Sequence, residues 1–170
     1  VVMHGDVERY AGGSLVSQAY HWSPGPSLGP RALTVETSLR APAVTAVSVE
    51  YYPGLGTSRG LMVLMPETAV VERYSIPDYA FEERIRGSSF RELFYLDKGL
   101  LVVLAQVNGR PNWTVIGLVL TFPANLRNAV MLRARIALSS MMVEDITASY
   151  RVWARTALPP YTEEPGPEKE

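Results

Sequence analysis

Two apolar runs, residues 100–107 and 113–122, flank Asn108-Gly109 in the stretch LLVVLAQVNGRPNWTVIGLVLTF. No other feature restricts the fold as strongly. Asn and Gly both tolerate the positive φ that a type I′ turn needs at its two central positions, so the second run can return antiparallel. Pro111 cannot donate to a ladder, which moves the start of pairing toward Trp113. The first run is almost unbroken in its apolar character, so both of its faces need cover.

Period-2 alternation recurs along the rest of the chain. Leu33, Val35, Thr37 and Leu39 share one side, and Thr34, Glu36 and Ser38 the other. VTAVSVEYY, 44–52, is rich in β-branched and aromatic residues and ends at the turn signal Pro53-Gly54. GLMVLM before Pro66 and TAVVERYSI before Pro77 read as two further strands. Helix is expected around 78–96. Asp78 is a candidate N-cap, Gly87 a stop, and Ser89 to Glu92 has capping-box spacing.

Residues 124–142 suit either state. Val130, Ala134, Ala137, Leu138 and Met141 make a helical stripe, while Val130, Leu132, Ala134, Ile136 and Leu138 alternate as a strand. A helix separates Arg133 from Arg135 by about 160° and splits the polar face. A strand sets them side by side, and strand is the preferred reading. Residues 146–156 read as a strand with Ile146, Ala148, Tyr150, Val152 and Ala154 inward.

These elements predict an all-β, mainly antiparallel protein, sandwich-like or jelly-roll-like, with one or two short helices around 78–96. One domain is expected over 1–158. It is followed by an acidic tail, 159–170, whose proline and glutamate content describes a solvated segment.

Composition closes off several chemistries. There is no cysteine, so disulfides, thiolate nucleophiles and Cys-ligated metals are excluded. The net charge of −1 gives no global field toward nucleic acid or anionic lipid. No apolar run is long enough for a transmembrane helix, and no signal-peptide pattern opens the chain. Val1 in place of Met is read either as a processed terminus or as a start codon translated literally. Scarce Gln and Asn and abundant Pro fit a thermophile or a GC-rich genome equally.

The catalytic motifs are weak. The only histidines are His4 and His21, too few for a metal site without carboxylates such as Asp6. YYPGLGTSRG misses nucleotide-loop spacing by one residue and no helix is read after it. Glu82-Glu83 and Glu144-Asp145 are adjacent carboxylates that diverge on a strand and also on a helix. No cofactor and no metal are expected. Asn112-Trp113-Thr114 is an N-glycosylation sequon beside the hairpin turn, meaningful only if the chain is exported.

The remaining signal is electrostatic. Arg127, Arg133, Arg135, Arg151 and Arg155 stand against Glu144 and Asp145, while the tail carries four glutamates against Lys169. With 124–142 and 146–156 both strands, Arg133, Arg135, Arg151 and Arg155 gather around Trp153 on one outward face. The resulting expectation is a non-enzymatic assembly subunit of a surface filament, virion shell or multiprotein complex. Its partners are copies of itself or other proteins, met through β-strand addition and the Arg face. The alternatives are a module binding an anionic ligand or nucleic acid on that face, and a small β-fold hydrolase. An extracellular, cell-surface or virion setting is preferred to the cytoplasm.

Overall fold

The computed structural model describes residues 4–11, 14–22, 33–38, 43–52, 54–106 and 112–158, the first two segments as backbone only. The protein is mainly antiparallel β. The nine strands described form one open sheet in the order β1-β2-β3-β4-β8-β7-β6-β5-β9. They span His4–Ala11, Ser14–Trp22, Leu33–Ser38 and Ala43–Glu50 (β1 to β4), then Tyr79–Ile85, Ser88–Tyr95, Leu100–Gln106, Thr114–Thr121 and Val143–Asp145 (β5 to β9). Three helices are described: α1 (Glu67–Tyr74), α2 (Pro123–Ser139) and α3 (Thr147–Ala157).

The apolar hairpin is the centre of the sheet. β7 pairs with β8 from Leu100↔Leu120 to Ala105↔Thr114, and β8 then pairs with β4. The turn at Asn108-Gly109 lies outside the described residues. Both faces of β7 are covered, as its composition requires. On one face Leu93, Leu100, Val102, Leu104 and Val115 pack with Val70 and Val71 of α1 and with Tyr150 and Ala154 of α3. On the other, Phe81, Phe94 and Val143 pack with Leu126 and Val130 of α2. Alternate residues of β5 and β6 serve the two clusters: Ala80 and Leu93 the first, Phe81 and Phe94 the second. Phe81 and Phe94 meet edge to face at 5.9 Å.

The helices do not stand where the sequence placed them. Residues 79–95 form a β-hairpin, and the only helical turn nearby is the short 3₁₀ segment Leu96–Lys98. Asp78 caps no α-helix; its carboxylate accepts from the Leu96 amide at 2.7 Å and ties the two hairpin ends together. Arg86 and Gly87 have φ of 47° and 83°, the positive pair that a two-residue turn demands. The chain stops at Gly87 as expected, but it reverses as a hairpin rather than ending a helix.

Residues 123–139 coil as α2, with Pro123 at the first helical position, where its missing N–H costs nothing. The preferred strand reading of 124–142 is therefore corrected. The helical stripe is the one that finds a core: Leu126 and Val130 are buried and Ala134 and Ala137 pack beside them. Residues 147–157 are helix rather than strand for the same reason. Tyr150 and Ala154, one turn apart, are buried, while Val152, expected inward, is 63% exposed. The TAVVERYSI segment contributes α1. GLMVLM buries Leu61 and Val63 without becoming a strand. Its continuation runs beside the start of β8, with Leu64 donating to the Val115 carbonyl and the Val115 amide to that of Met65.

Among the described residues, the apolar packing of the helices falls on the half of the sheet from β8 to β9. Neither apolar cluster contains a residue of β3 or β4. β3 is half-buried along its whole length, and β4 buries only Val49.

Candidate functional site

The best-formed concavity described, about 680 Å³, opens where α1, α3 and the start of β8 meet over β6. That volume suits a small-molecule site. Its floor is a charged and aromatic cluster built from four elements.

Arg91 is central. It sits on β6 between Phe90 and Glu92, on the strand face shared with Leu93 and Tyr95. The register puts Glu82 of β5 directly opposite, and Arg91 Nε donates to Glu82 Oε2 at 3.0 Å. Nη1 donates to both oxygens of Glu67, at 3.1 and 3.2 Å. The guanidinium carbon lies over the Trp113 indole, 3.9 Å from the ring centroid. Planar charge, delocalised face and several donors are all used, which Lys could not reproduce.

Glu67 opens α1 after Pro66, in the first turn where the helix dipole favours a negative charge. The Glu67 amide donates to the Trp113 carbonyl at 3.1 Å, so the helix start is pinned to the edge of β8. Glu67 is only 6% exposed. Burial pushes its carboxyl pKa above the ordinary value, against the opposing pull of Arg91. One guanidinium grips both oxygens. That geometry suits a hydrogen-bond acceptor held in place more than a proton carrier.

Tyr150 of α3 closes the cluster from above. It is 3% exposed, and its buried hydroxyl lies against the Glu67 carboxylate. Burial and the Glu67 charge hold the phenol firmly protonated. Trp153 packs on Tyr150 at 5.1 Å between ring centroids and is only partly buried, so part of its indole lines the opening. Asn112 and Ser149 add polar groups at the rim, and both are exposed.

The five residues expected to share an Arg face do not lie on one. Arg133 and Arg135 are on α2, whereas Arg151, Trp153 and Arg155 are on α3, and the two helices pack on opposite sheet faces. Arg133 is engaged with Glu92 through two 2.6 Å bonds and with Glu83 at 3.4 Å. Arg151 donates to the Asp78 carbonyl at 2.7 Å, and Arg135 and Arg155 are exposed. Trp153 alone belongs to the pocket. Of the sequon, Asn112 is exposed at the pocket rim and Trp113 is buried beneath Arg91. The strand register sets His4 opposite His21.

Sequence reading missed Glu67, Arg91 and Tyr150. Their signal was present in a strand frame: Arg91 interrupts an apolar face running Leu93–Tyr95, and a buried charge there calls for partners. Reading 89–92 as a capping box hid it.

Among the described residues, no three His, Asp or Glu side chains converge as a metal site needs, and no helix is long and apolar enough to cross a membrane. Comparison with protein families, curated proteins and solved structures found no match to this chain.

Proposed function

We propose that the protein is a structural subunit that works by association with copies of itself, as a component of a surface filament, a virion shell or a larger complex. The observation that carries this reading is the half-covered sheet. Among the residues described with side chains, none of β3 or β4 belongs to either apolar cluster. Strands with apolar residues gain independent stability from a covered face, and the eight-residue β1 is the terminal strand of the sheet among the described residues. A second copy can add a strand beside β1, or lay its own sheet on the β1–β4 half and complete a sandwich.

Charge supports a second copy as the occupant. Arg127, Arg135, Arg151 and Arg155 are exposed, and the segment 159–170 of a neighbour carries four glutamates. Opposite charges on one chain with a net charge of −1 favour self-association without long-range repulsion. Nearby, Met131, Leu132 and Leu138 of α2 and the following Met141 and Met142 are exposed, an apolar patch of the kind that marks an interaction surface. The split of Arg133 and Arg135 from Arg151 and Arg155 removes the single Arg face from this reading and from the anionic-ligand alternative alike.

Light scattering on the full chain and on a chain ending at residue 158, at low and high salt, tests the proposal. Assembly at low salt that weakens with salt and with truncation, at unchanged circular dichroism, is expected. A monomer under every condition, with or without the tail, removes the proposal.

A further inference from the structure

Beyond association, we infer that the outer face of α2, with the turn that follows it, docks on an anionic lipid surface and lies in the headgroup region without crossing the bilayer. The distribution of apolar residues, the sign of the charge and the poor fit of the other occupants converge on that partner.

α2 is apolar on both of its sides. Leu126 and Val130 face the core. At about 100° per residue, Arg127, Leu138, Met131, Arg135 and Leu132 succeed one another over an arc from about 60° to about 200° away from Val130. All five are exposed, Leu138 by 90%. In the turn past the helix end, Met142 is 53% and Met141 105% exposed. A helix with apolar residues all round is ordinarily covered, and among the described residues this outer arc is not.

The arc is also basic, although the net charge of the chain is −1. α2 carries three arginines and no carboxylate. Arg133 turns inward to Glu83 and Glu92, which leaves Arg127 and Arg135 on either side of Met131. Of the elements packed against α2, the 3₁₀ segment brings Asp97 beside Lys98, and β9 brings Asp145, whose carboxylate accepts from the Thr147 amide at 2.9 Å. Glu144 pairs with Glu82 and shares its side of the sheet, away from α2. Arginines beside exposed Leu and Met suit the boundary between phosphate headgroups and acyl chains.

The alternatives fit less well. Two copies packing α2 on α2 would bring four arginines together with no carboxylate from either helix between them. The segment 159–170 of a neighbour has the glutamates, but it offers one large apolar side chain, Tyr161, against five on this face. A helix of 17 residues with three arginines is too short and too charged to span a bilayer, so it lies on the surface.

Co-sedimentation of the full chain with vesicles tests the inference. The vesicles are phosphatidylcholine alone, or phosphatidylcholine with about 30% phosphatidylglycerol. Binding to the anionic vesicles at least about tenfold stronger than to the neutral ones, and weakened by salt, is expected. Arg127→Gln with Arg135→Gln should reduce it about tenfold or more, since each arginine contributes roughly fivefold. Leu138→Ser with Met141→Ser should reduce it at least as much, and both positions are exposed enough to leave the melting temperature unchanged. Arg155→Gln, on the opposite sheet face, should leave it unchanged. No binding, equal binding to both vesicles, or binding indifferent to the α2 substitutions each overturns the inference. So does a chain that binds no vesicle but whose light scattering changes with those substitutions, because a second copy then covers α2. Light scattering without vesicles reads association through the β1–β4 half, so failure of one proposal is distinguishable from failure of the other.

Discussion

Replacing Arg91 with Met keeps the apolar stem and deletes the guanidinium. Glu67, 6% exposed, then loses both charge-assisted bonds and cannot regain its water. Removing one member of a buried ion pair costs about 3–5 kcal/mol. The lost stacking on Trp113 adds about 1 kcal/mol. Glu82, with 13% of its side chain exposed and Arg84 at 3.5 Å, keeps a partner and adds little. The expected loss is about 4 kcal/mol at pH 7.5, a large share of the roughly 5–15 kcal/mol that holds a typical domain together.

The pH dependence gives this loss a signature. Because burial raises the folded-state pKa of Glu67, the folded protein retains a proton that the unfolded chain has released. Stability therefore falls as pH climbs from the ordinary carboxylate value toward the raised one, and is level above it. Without Arg91 the folded-state pKa rises further, so the falling stretch becomes longer and the deficit of the variant grows with pH. Toward lower pH the variant folds more readily with Glu67 neutral, and its difference from wild type shrinks. Urea titration followed by tryptophan fluorescence measures this. With a slope of about 2 kcal/mol per molar, the midpoint should drop by about 2 M at pH 7.5. Adding Glu67→Gln to Arg91→Met should recover part of the loss at pH 7.5 and less at pH 5. A deficit below about 1 kcal/mol at pH 7.5, or one equal at both pH values, would refute the buried-pair account.

Three more perturbations test the scaffold by the same urea titration. Gly99→Ala places a Cβ 2.2 Å from the Thr121 carbonyl at φ +60°, where the Thr121 amide also bonds back to the Gly99 carbonyl; a loss of about 2–4 kcal/mol is expected, and a neutral result would deny this close approach. Phe94→Ala removes one of the two edge-to-face rings beneath α2 and should cost about 3–5 kcal/mol. Arg133→Met unpairs Glu92 at a partly exposed site, so a loss of about 1–2 kcal/mol that diminishes in high salt is expected; insensitivity to salt would show that the arginine contributes packing alone.

The sheet was more legible than the helices, and particular residues show why. β3, β4, β7 and β8 combine alternation or continuous apolar character with β-branched residues, and at β7 and β8 the packed helices supply the cover that the pattern demands. The segment 146–156 alternates just as cleanly, yet it coils. Alternation in an eleven-residue segment with Tyr150 and Ala154 four apart also satisfies a helical face, and tertiary packing chose between the two. α2 was misread through its arginines. A helix was set aside because it separates Arg133 from Arg135, but separation is what the fold uses: Arg133 reaches Glu92 while Arg135 stays in solvent. The Arg86-Gly87 reversal was hidden for another reason. Arg rarely occupies the left-handed region, so this turn lacks the Asn-Gly or Asp-Gly mark that flags a two-residue hairpin. The pocket depended on three misread segments, 67–74, 79–95 and 147–157, since its residues come from α1, β6 and α3.

The strand pair β5–β6 explains how adjacent charges become structural. Glu82 and Glu83 diverge, as neighbours on a strand must, and so do Arg91 and Glu92. On one face Glu82 meets Arg91, which holds Glu67 of α1 beneath Tyr150 of α3. On the other, Glu83 and Glu92 meet Arg133 of α2. Each face of the same four-residue block therefore carries a charged clamp beside its apolar cluster, and each clamp reaches the helices packed on that face. A one-residue slip of β6 against β5 would turn Arg91 toward α2 and Glu92 toward Glu67, setting like charges together on both sides. The ion pairs thus discriminate against the wrong register more strongly than they stabilise the right one, because their Coulombic gain is largely offset by desolvation whereas a mispaired buried charge is not offset by anything.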